Sequence, residues 1–170
     1  EIYLSRPELG SSLWETILEA GRSENIRPGS PNIIDRVEAG LLSYGNEMTV
    51  ENTPLECNMD KFLDINKEAD YIGKKVLQRQ IRYGIKRRIR GVIYNGPKLP
   101  TISRPLQVFD IDKRTIVGSL TSGAFSPHFK KNIGVGMIKY GYWDNNKKIL
   151  VNIADQEFRE GLIKDLPLIQ

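Results

Sequence analysis

The chain changes from a helical to a strand-like pattern near residue 84, and this change constrains the fold more than any other feature. Six short β-rich segments follow one another, separated by turn sequences such as DIDKR and WDNNKK. Short strands that follow one another without an intervening helix favour a small antiparallel β-barrel or jelly roll. The candidate strands are RIRGVIYN, RPLQVFDI, TIVGSLTS, NIGVGMIKY, KILVNIA and a last one near GLIKDL.

Helical patterns dominate the preceding part of the chain. SSLWETILEAG has Ser12 and Glu15 at capping-box spacing and Gly21 as a stop, which predicts a helix. A second helix is predicted to start at Ser30-Pro31, and a third to run over about 70–82. The irregular stretch between these two helices allows one short strand near residues 61–63.

The two patterns together predict an α+β chain in two parts. Residues 1–83 would contain helices and antiparallel sheet, and residues 84–170 would form the antiparallel barrel. EIYL, at the start, alternates like the body of a strand and has no turn or cap before it. We therefore expect the chain to be a piece of a longer protein.

Composition narrows the possible classes of protein. One cysteine, Cys57, excludes an internal disulfide, and one histidine, His128, excludes a histidine-rich metal cage. We expect both residues to be structural and predict no metal site. The net charge of +4 suits an anionic ligand but is too small to indicate nucleic acid by itself. No apolar run reaches the ~20 residues of a membrane span, so we expect a cytoplasmic protein with no membrane partner.

Each of two polar stretches in the sequence is compatible with two different roles. RVEAGLLSYG places Arg36, Glu38 and Tyr44 around a glycine turn, which suits either a solvated helix end or part of a binding site. TSGAFSPHFKKNIG combines small, hydroxyl and lysine residues in a predicted loop between strands. Such a loop either cradles an anion through backbone N–H groups or is simply a long connection.

The basic run YGIKRRIRG is a third polar stretch. Strand alternation puts Arg88 and Arg90 on one face, with Arg87 and Ile89 on the other. That split favours a solvated outer face of the barrel over a stripe that binds nucleic acid, and we predict no nucleic-acid partner.

The order of the motifs resembles the folate-dependent aminomethyltransferases typified by the T-protein of the glycine cleavage system. The resemblance spans nearly the whole chain and would be weak for any single motif. The matching segments are E-I-Y at 1–3, R-V-E-A-G at 36–40, S-Y-G at 43–45, T-P-L-E at 53–56, Y-I-G-K at 71–74 with Leu77, T-S-G at 121–123 with Ser126-Pro127, and K-N-I at 131–133.

The run RPGSPNIIDRVEAGLLSYGNEMTVENTPLEC is more similar to the dimethylsulfoniopropionate demethylase branch of that family. This resemblance implies a methyltransferase that demethylates dimethylsulfoniopropionate (DMSP) to methylmercaptopropionate and forms 5-methyl-tetrahydrofolate. Its partners would be tetrahydrofolate and a small sulfonium substrate, and a homodimer is left open. The alternatives are an aminomethyltransferase and a non-enzymatic folate-binding scaffold.

The resemblance also implies the residues that bind the folate. Glu1 would accept hydrogen bonds from the pterin ring, and Tyr44 would form a flat wall against the folate. Arg36 would either reach a carboxylate of the folate tail or hold Glu38 in place, and both roles are left open. No catalytic residue is assigned. Because much of the substrate pocket would come from an N-terminal half, we expect this chain alone to be inactive.

Overall fold

A computed structural model describes residues 2–29 and 32–169. The chain divides into two compact units, residues 1–31 and 32–170. The first unit contains helix α1 (Gly10–Ala20), with short 3₁₀ helices at Pro7–Leu9 and Arg22–Glu24. The predicted end of α1 at Gly21 is confirmed.

Two predictions for the first unit are wrong. Ser12 lies inside α1 and does not cap it, because the helix already begins at Gly10 after the 3₁₀ turn. Residues 2–4 have no strand conformation, so the predicted strand is not found there. The first residue of the predicted strand, Glu1, lies outside the described residues.

The second unit contributes helices α2 (Ile33–Glu38) and α3 (Lys74–Tyr83). Asn32 caps α2, because its side-chain oxygen accepts hydrogen bonds from the backbone N–H groups of Ile34 and Asp35. The predicted cap at Ser30-Pro31 lies outside the described residues. A left-handed Gly40, with φ of +68°, follows the end of α2. The predicted strand at 61–63 is wrong, because Asp60–Phe62 is a 3₁₀ helix.

Six antiparallel strands form a closed barrel in the order β1-β4-β3-β2-β5-β6, which confirms the predicted architecture. Its interior is filled by buried residues that include Val92, Leu120 and Ile163. Inward and outward residues alternate along the regular parts of the strands, and register shifts interrupt this alternation between Leu120 and Ser122 and between Asn152 and Ala154. The strands are β1 (Arg87–Tyr94), β2 (Leu106–Phe109), β3 (Ile116–Ser126), β4 (Lys131–Lys139), β5 (Lys148–Ala154) and β6 (Glu157–Lys164).

The long loop predicted from TSGAFSPHFKKNIG is wrong. Strand β3 continues to Ser126 and β4 begins at Lys131, so a turn of only residues 127–130 remains. Gly123 and Gly134 face each other across the two strands, and a Cβ on Gly123 would lie 2.5 Å from the Ile133 carbonyl oxygen. These glycines therefore let the two strands approach each other closely, and they do not mark an open loop.

Helix α2 packs on the outer surface of the barrel. Val37 is buried against Ile89, Ile133 and Val135, which form a second apolar cluster outside the barrel core. This cluster fixes α2 over β3 and β4 and thereby sets the position of the polar residues around it. The domain boundary predicted near residue 84 stays a prediction.

Candidate functional site

A buried polar seam joins α2 and the turn after it to the outer face of β3. We define the polar seam by six residues: Arg36, Glu38, Asn46, Glu47, Ser122 and Ser126. Its centre is a two-pronged ion pair, in which Arg36 Nη1 donates to Glu47 Oε2 over 3.0 Å and Arg36 Nη2 donates to Glu47 Oε1 over 2.9 Å. A planar guanidinium matches a carboxylate in this way and fixes its orientation.

Ser122 attaches this ion pair to the barrel. Its hydroxyl donates to Glu47 and accepts from Arg36 Nη2, while Asn46 Nδ2 donates to it over 2.6 Å. One donated and two accepted hydrogen bonds use the full capacity of a serine hydroxyl. The side chain of Ser122 is therefore held by the segment that follows α2.

Glu47 is only 5% exposed and acts as an ionised acceptor. Its carboxylate also accepts from the Ser43 backbone N–H over 2.7 Å and from Asn46 Nδ2 over 3.0 Å. Burial by itself would raise the pKa of Glu47, but the hydrogen bonds from Arg36, Ser122 and Ser43 outweigh it and lower the pKa below its ordinary value. Glu47 therefore carries its charge at neutral pH.

A second contact of the same kind lies four residues further along β3. The Ser126 hydroxyl donates to the buried carboxylate of Glu38 and accepts from the Phe129 backbone N–H over 3.0 Å. The Glu38 backbone carbonyl accepts from the Leu168 N–H over 2.8 Å. Residues i and i+4 of a strand point to the same face, so Ser122 and Ser126 lie on one face of β3. From this face both hydroxyl groups form hydrogen bonds with side chains of α2.

Tyr44 lies on the turn that the polar seam holds. Its side chain is 68% exposed, while the neighbouring Ser43 and Asn46 both bond to Glu47. The Gly45 N–H donates to the Met48 carbonyl over 2.8 Å and closes the turn. The structure thus presents an aromatic ring and hydroxyl to solvent from a fixed backbone.

The structure brings two of the three predicted folate-binding residues into one region. Arg36 belongs to the polar seam and Tyr44 to the turn that this seam holds, whereas Glu1 lies outside the described residues. Of the two roles left open for Arg36, the structure does not show the one in which it holds Glu38, because the hydrogen bonds that Arg36 makes to described side chains go to Glu47 and Ser122. Glu47 was not among the residues predicted from the sequence. Its position three residues after Tyr44, in YGNE, was the one local sign that it belongs to the same turn.

The arginines of the basic run of β1 pair with other groups of the chain, and Arg90 is largely buried. Arg90 keeps only 11% of its side chain exposed and donates through Nε to the Trp143 carbonyl over 2.8 Å. The prediction of a solvated face is therefore wrong at this position, because the chain crosses over it. Arg87 and Arg88 are also paired, with Glu56 and Asp60 respectively.

Other candidate chemistry has a simple structural setting. Cys57 is buried, and this burial raises the pKa of its thiol, with a further rise from the Glu56 carboxylate. His128 is exposed at the turn between β3 and β4. Across residues 2–29 and 32–169, no group of three or more His, Cys, Asp and Glu side chains could hold a metal ion. No helix in the described part of the chain is long and apolar enough to cross a membrane.

Two family models match the chain in sequence. The GCVT N-terminal domain matches residues 1–67, and the glycine cleavage T-protein C-terminal barrel domain matches residues 87–166, where the barrel lies. The chain belongs to the glycine cleavage T-protein family.

Known relatives carry two different names. The chain is 42% identical over 143 residues to the dimethylsulfoniopropionate demethylase DmdA of Ruegeria pomeroyi, covering 84% of this chain and 38% of that protein. It is 34% identical to an aminomethyltransferase of Geobacillus sp. over 165 residues, covering 96% of this chain and 44% of the relative. A Caldanaerobacter subterraneus aminomethyltransferase is 37% identical over 165 residues, with 96% and 42% covered. The chain thus spans about two fifths of the length of these relatives.

The fold also has a solved counterpart. The crystal structure of the glycine cleavage system aminomethyltransferase T from Bartonella henselae matches with a TM-score of 0.69 at 22% identity, covering 79% of this chain and 37% of that one. At this level of identity the match supports the fold alone.

Proposed function

We propose that the protein transfers a methyl group from DMSP to tetrahydrofolate, forming methylmercaptopropionate and 5-methyl-tetrahydrofolate. The observation that carries this proposal is the 42% identity to a dimethylsulfoniopropionate demethylase over 84% of the chain. The aminomethyltransferases named above are 34% and 37% identical. The proposal concerns the protein at its natural full length.

The reaction needs little acid–base chemistry from the protein. The methyl group of a sulfonium is already an electrophile, and the carbon–sulfur bond breaks with its electron pair going to sulfur, so a neutral thioether leaves. Tetrahydrofolate supplies the nucleophilic nitrogen, whose surplus proton passes to water. The protein contributes mainly by holding donor and acceptor in line and by excluding water.

Described residues of this chain fit a folate ligand in two respects. The exposed ring of Tyr44 offers a flat apolar wall with a hydroxyl handle, on a turn that the polar seam keeps rigid. Arg36 uses Nη1 and Nη2 on Glu47, and its side chain remains 22% exposed. We propose that Tyr44 contacts the folate and that Arg36 orients the Tyr44 turn through Glu47, with its remaining N–H groups directed to a ligand carboxylate. Glu1 stays our proposal for the pterin end.

A product assay tests the proposal. The full-length protein is incubated with tetrahydrofolate and DMSP, and both products are measured by mass spectrometry. Equal amounts of 5-methyl-tetrahydrofolate and methylmercaptopropionate are expected. If neither product forms while folate still binds, the demethylase assignment is wrong and aminomethyl transfer becomes the preferred function.

Site variants separate folate binding from folding. Tyr44→Ala and Glu1→Ala should each weaken tetrahydrofolate binding by about tenfold, the effect of losing one good contact. Tyr83→Ala is the matched control, because Tyr83 is similarly exposed, at 72%, but lies at the end of α3. Equal folate affinities of the Tyr44→Ala and Tyr83→Ala proteins would show that Tyr44 does not contact the folate.

A further inference from the structure

A groove crosses the outer face of the barrel over β1, β6 and β5, strands that contribute no residue to the polar seam. Its volume is about 670 Å³, within the ~300–1,000 Å³ that is usual for small-molecule sites. Its apolar lining comes from Ile93 on β1, Leu162 on β6, Leu150 on β5 and Phe129 from the turn before β4. A binding-sized apolar surface thus lies outside the candidate folate site.

The strand register explains why this surface is continuous. Ile93 pairs with Leu162 across β1 and β6, and Leu162 pairs with Lys148 across β6 and β5. These three side chains form one row across three strands, because directly paired residues of antiparallel strands point to the same face. Leu150, two residues after Lys148, extends the apolar surface along β5.

Lysine side chains surround this apolar floor. Lys113, Lys131, Lys148 and Lys164 line the groove, against one acidic residue, Glu160. The resulting surplus of positive charge beside an apolar surface favours a ligand that combines an anionic group with an apolar body.

Two of the four lysines make contacts with other side chains, and the other two are available to bind a ligand. Lys164 Nζ donates to Asn146 Oδ1 over 2.5 Å, and Lys113 Nζ lies 5.8 Å from the centre of the Phe158 ring. Lys131 and Lys148 are exposed, and neither side chain has a hydrogen bond or ion pair with any residue of the described ranges. Their ammonium groups can therefore turn toward a ligand without breaking an internal contact.

We propose that this groove is a second binding site, which takes an amphipathic organic anion. The apolar body of the ligand packs on Ile93, Leu150 and Leu162, and its anionic group pairs with Lys131 and Lys148. The proposal does not depend on folate or on methyl transfer, so its failure would leave the proposed function unaffected.

A matched pair of fluorescent probes tests the site in the full-length protein. 8-Anilinonaphthalene-1-sulfonate carries a sulfonate, and N-phenyl-1-naphthylamine has the same aromatic framework without the charge. We expect saturable binding of the sulfonate probe at one site per chain, with weaker binding of the neutral probe. Added salt should lower the affinity for the sulfonate probe, because the lysines are exposed.

Paired variants locate the binding. The double variant Lys131→Gln/Lys148→Gln should bind the sulfonate probe about tenfold more weakly and the neutral probe unchanged. The control, Lys75→Gln/Lys98→Gln, removes the same charge at exposed positions outside the groove and should bind both probes like the unmodified protein. Equal affinities of the two double variants for the sulfonate probe would overturn the proposal. So would the absence of saturable binding.

Discussion

Glu47 connects α2 and the turn after it to a barrel strand that lies far away in sequence. Its carboxylate receives hydrogen bonds from Arg36 in the RVEAG motif, from Asn46 beside it, and from Ser122 in the TSG motif of the barrel. Side chains that are spread over 86 residues of sequence thereby fix one turn, the turn that carries Tyr44. The polar residues in the range 36–47 therefore hold the turn that carries the exposed Tyr44 in one position.

The charge of Glu47 should make part of the stability dependent on pH. At pH 7 we expect Glu47→Gln to lower the free energy of unfolding by about 3 kcal/mol, because an amide leaves Arg36 without its charged partner. The folded-state pKa of Glu47 is depressed, so this contribution is present above the unfolded value of ~4.3 and is lost as pH falls through the folded-state pKa. In urea unfolding, the gap between the two proteins should therefore narrow as the pH is lowered below the unfolded-state pKa. A gap that stays constant as the pH falls below the unfolded-state pKa would contradict this role, and Glu51→Gln, at an exposed position, is the control.

We expect the side-chain hydrogen bonds of Ser122 to stabilise the fold. Ser122→Ala removes three hydrogen bonds at a buried site and should lower the free energy of unfolding by about 2 kcal/mol, since its partners keep other contacts. Ser119→Ala makes the same change on the same strand at a half-buried position outside the polar seam. Urea denaturation of both variants checks the prediction. Equal stability of the two variants would show that the seam does not hold the barrel and the helix together.

At the scale of elements, the pairing of β3 with β4 depends on close backbone approach. A Cβ on Gly136 would lie 1.9 Å from the Ser119 carbonyl oxygen and 2.6 Å from the Leu120 Cα, both backbone atoms that cannot move independently of the strand. Gly136 pairs with Leu120 in the register of these strands. The barrel wall at this point therefore has room only for glycine.

Gly136→Ala should disrupt the barrel. We expect a loss of about 3 kcal/mol or more in the free energy of unfolding, because the two strands must separate locally to admit the methyl group. Gly10→Ala is the control, since a Cβ there meets no atom within 4 Å and the position is helical. Thermal unfolding followed by circular dichroism distinguishes them. A Gly136→Ala barrel as stable as the Gly10→Ala protein would contradict the observed register.

Some of these elements could be predicted from local sequence and others could not. The six strands were predictable because short runs rich in β-branched residues, which include Val92 and Ile163, are bounded by turn sequences such as DIDKR and WDNNKK. The end of β3 was mistaken for a loop because Ser122 and Ser126 suggest exposure. Both are buried, and the partners that allow this, Glu47 and Glu38, lie 75 and 88 residues away in sequence. A pattern confined to a few neighbouring residues cannot show such partners.

At the scale of the whole molecule, the two units differ in what holds them together. The second unit has a closed barrel with a full core, whereas no residue in the range 2–29 is buried. Apolar side chains of that first range, such as Trp14 at 50% and Ile2 at 66%, are largely exposed. Helices of this length depend on tertiary packing for their stability.

Hydrogen exchange should therefore separate the two units. In the 170-residue chain, the amides of α1 should exchange with little protection, while those of β3 and β4 should exchange only through opening of the barrel. Mass spectrometry of peptides from residues 10–20 and 116–139 gives both rates in one experiment. Similar protection of the two regions would mean that the first unit has a stability of its own that its exposed side chains do not indicate.

The most direct test of the proposed methyl transfer follows the methyl group itself. DMSP deuterated in its S-methyl groups is mixed with the full-length protein and tetrahydrofolate, and the folate product is analysed by mass spectrometry. The proposal predicts that the folate product carries one intact deuterated methyl group for each molecule of thioether formed. A folate product without deuterium, or cleavage of DMSP that leaves tetrahydrofolate unchanged, would contradict it.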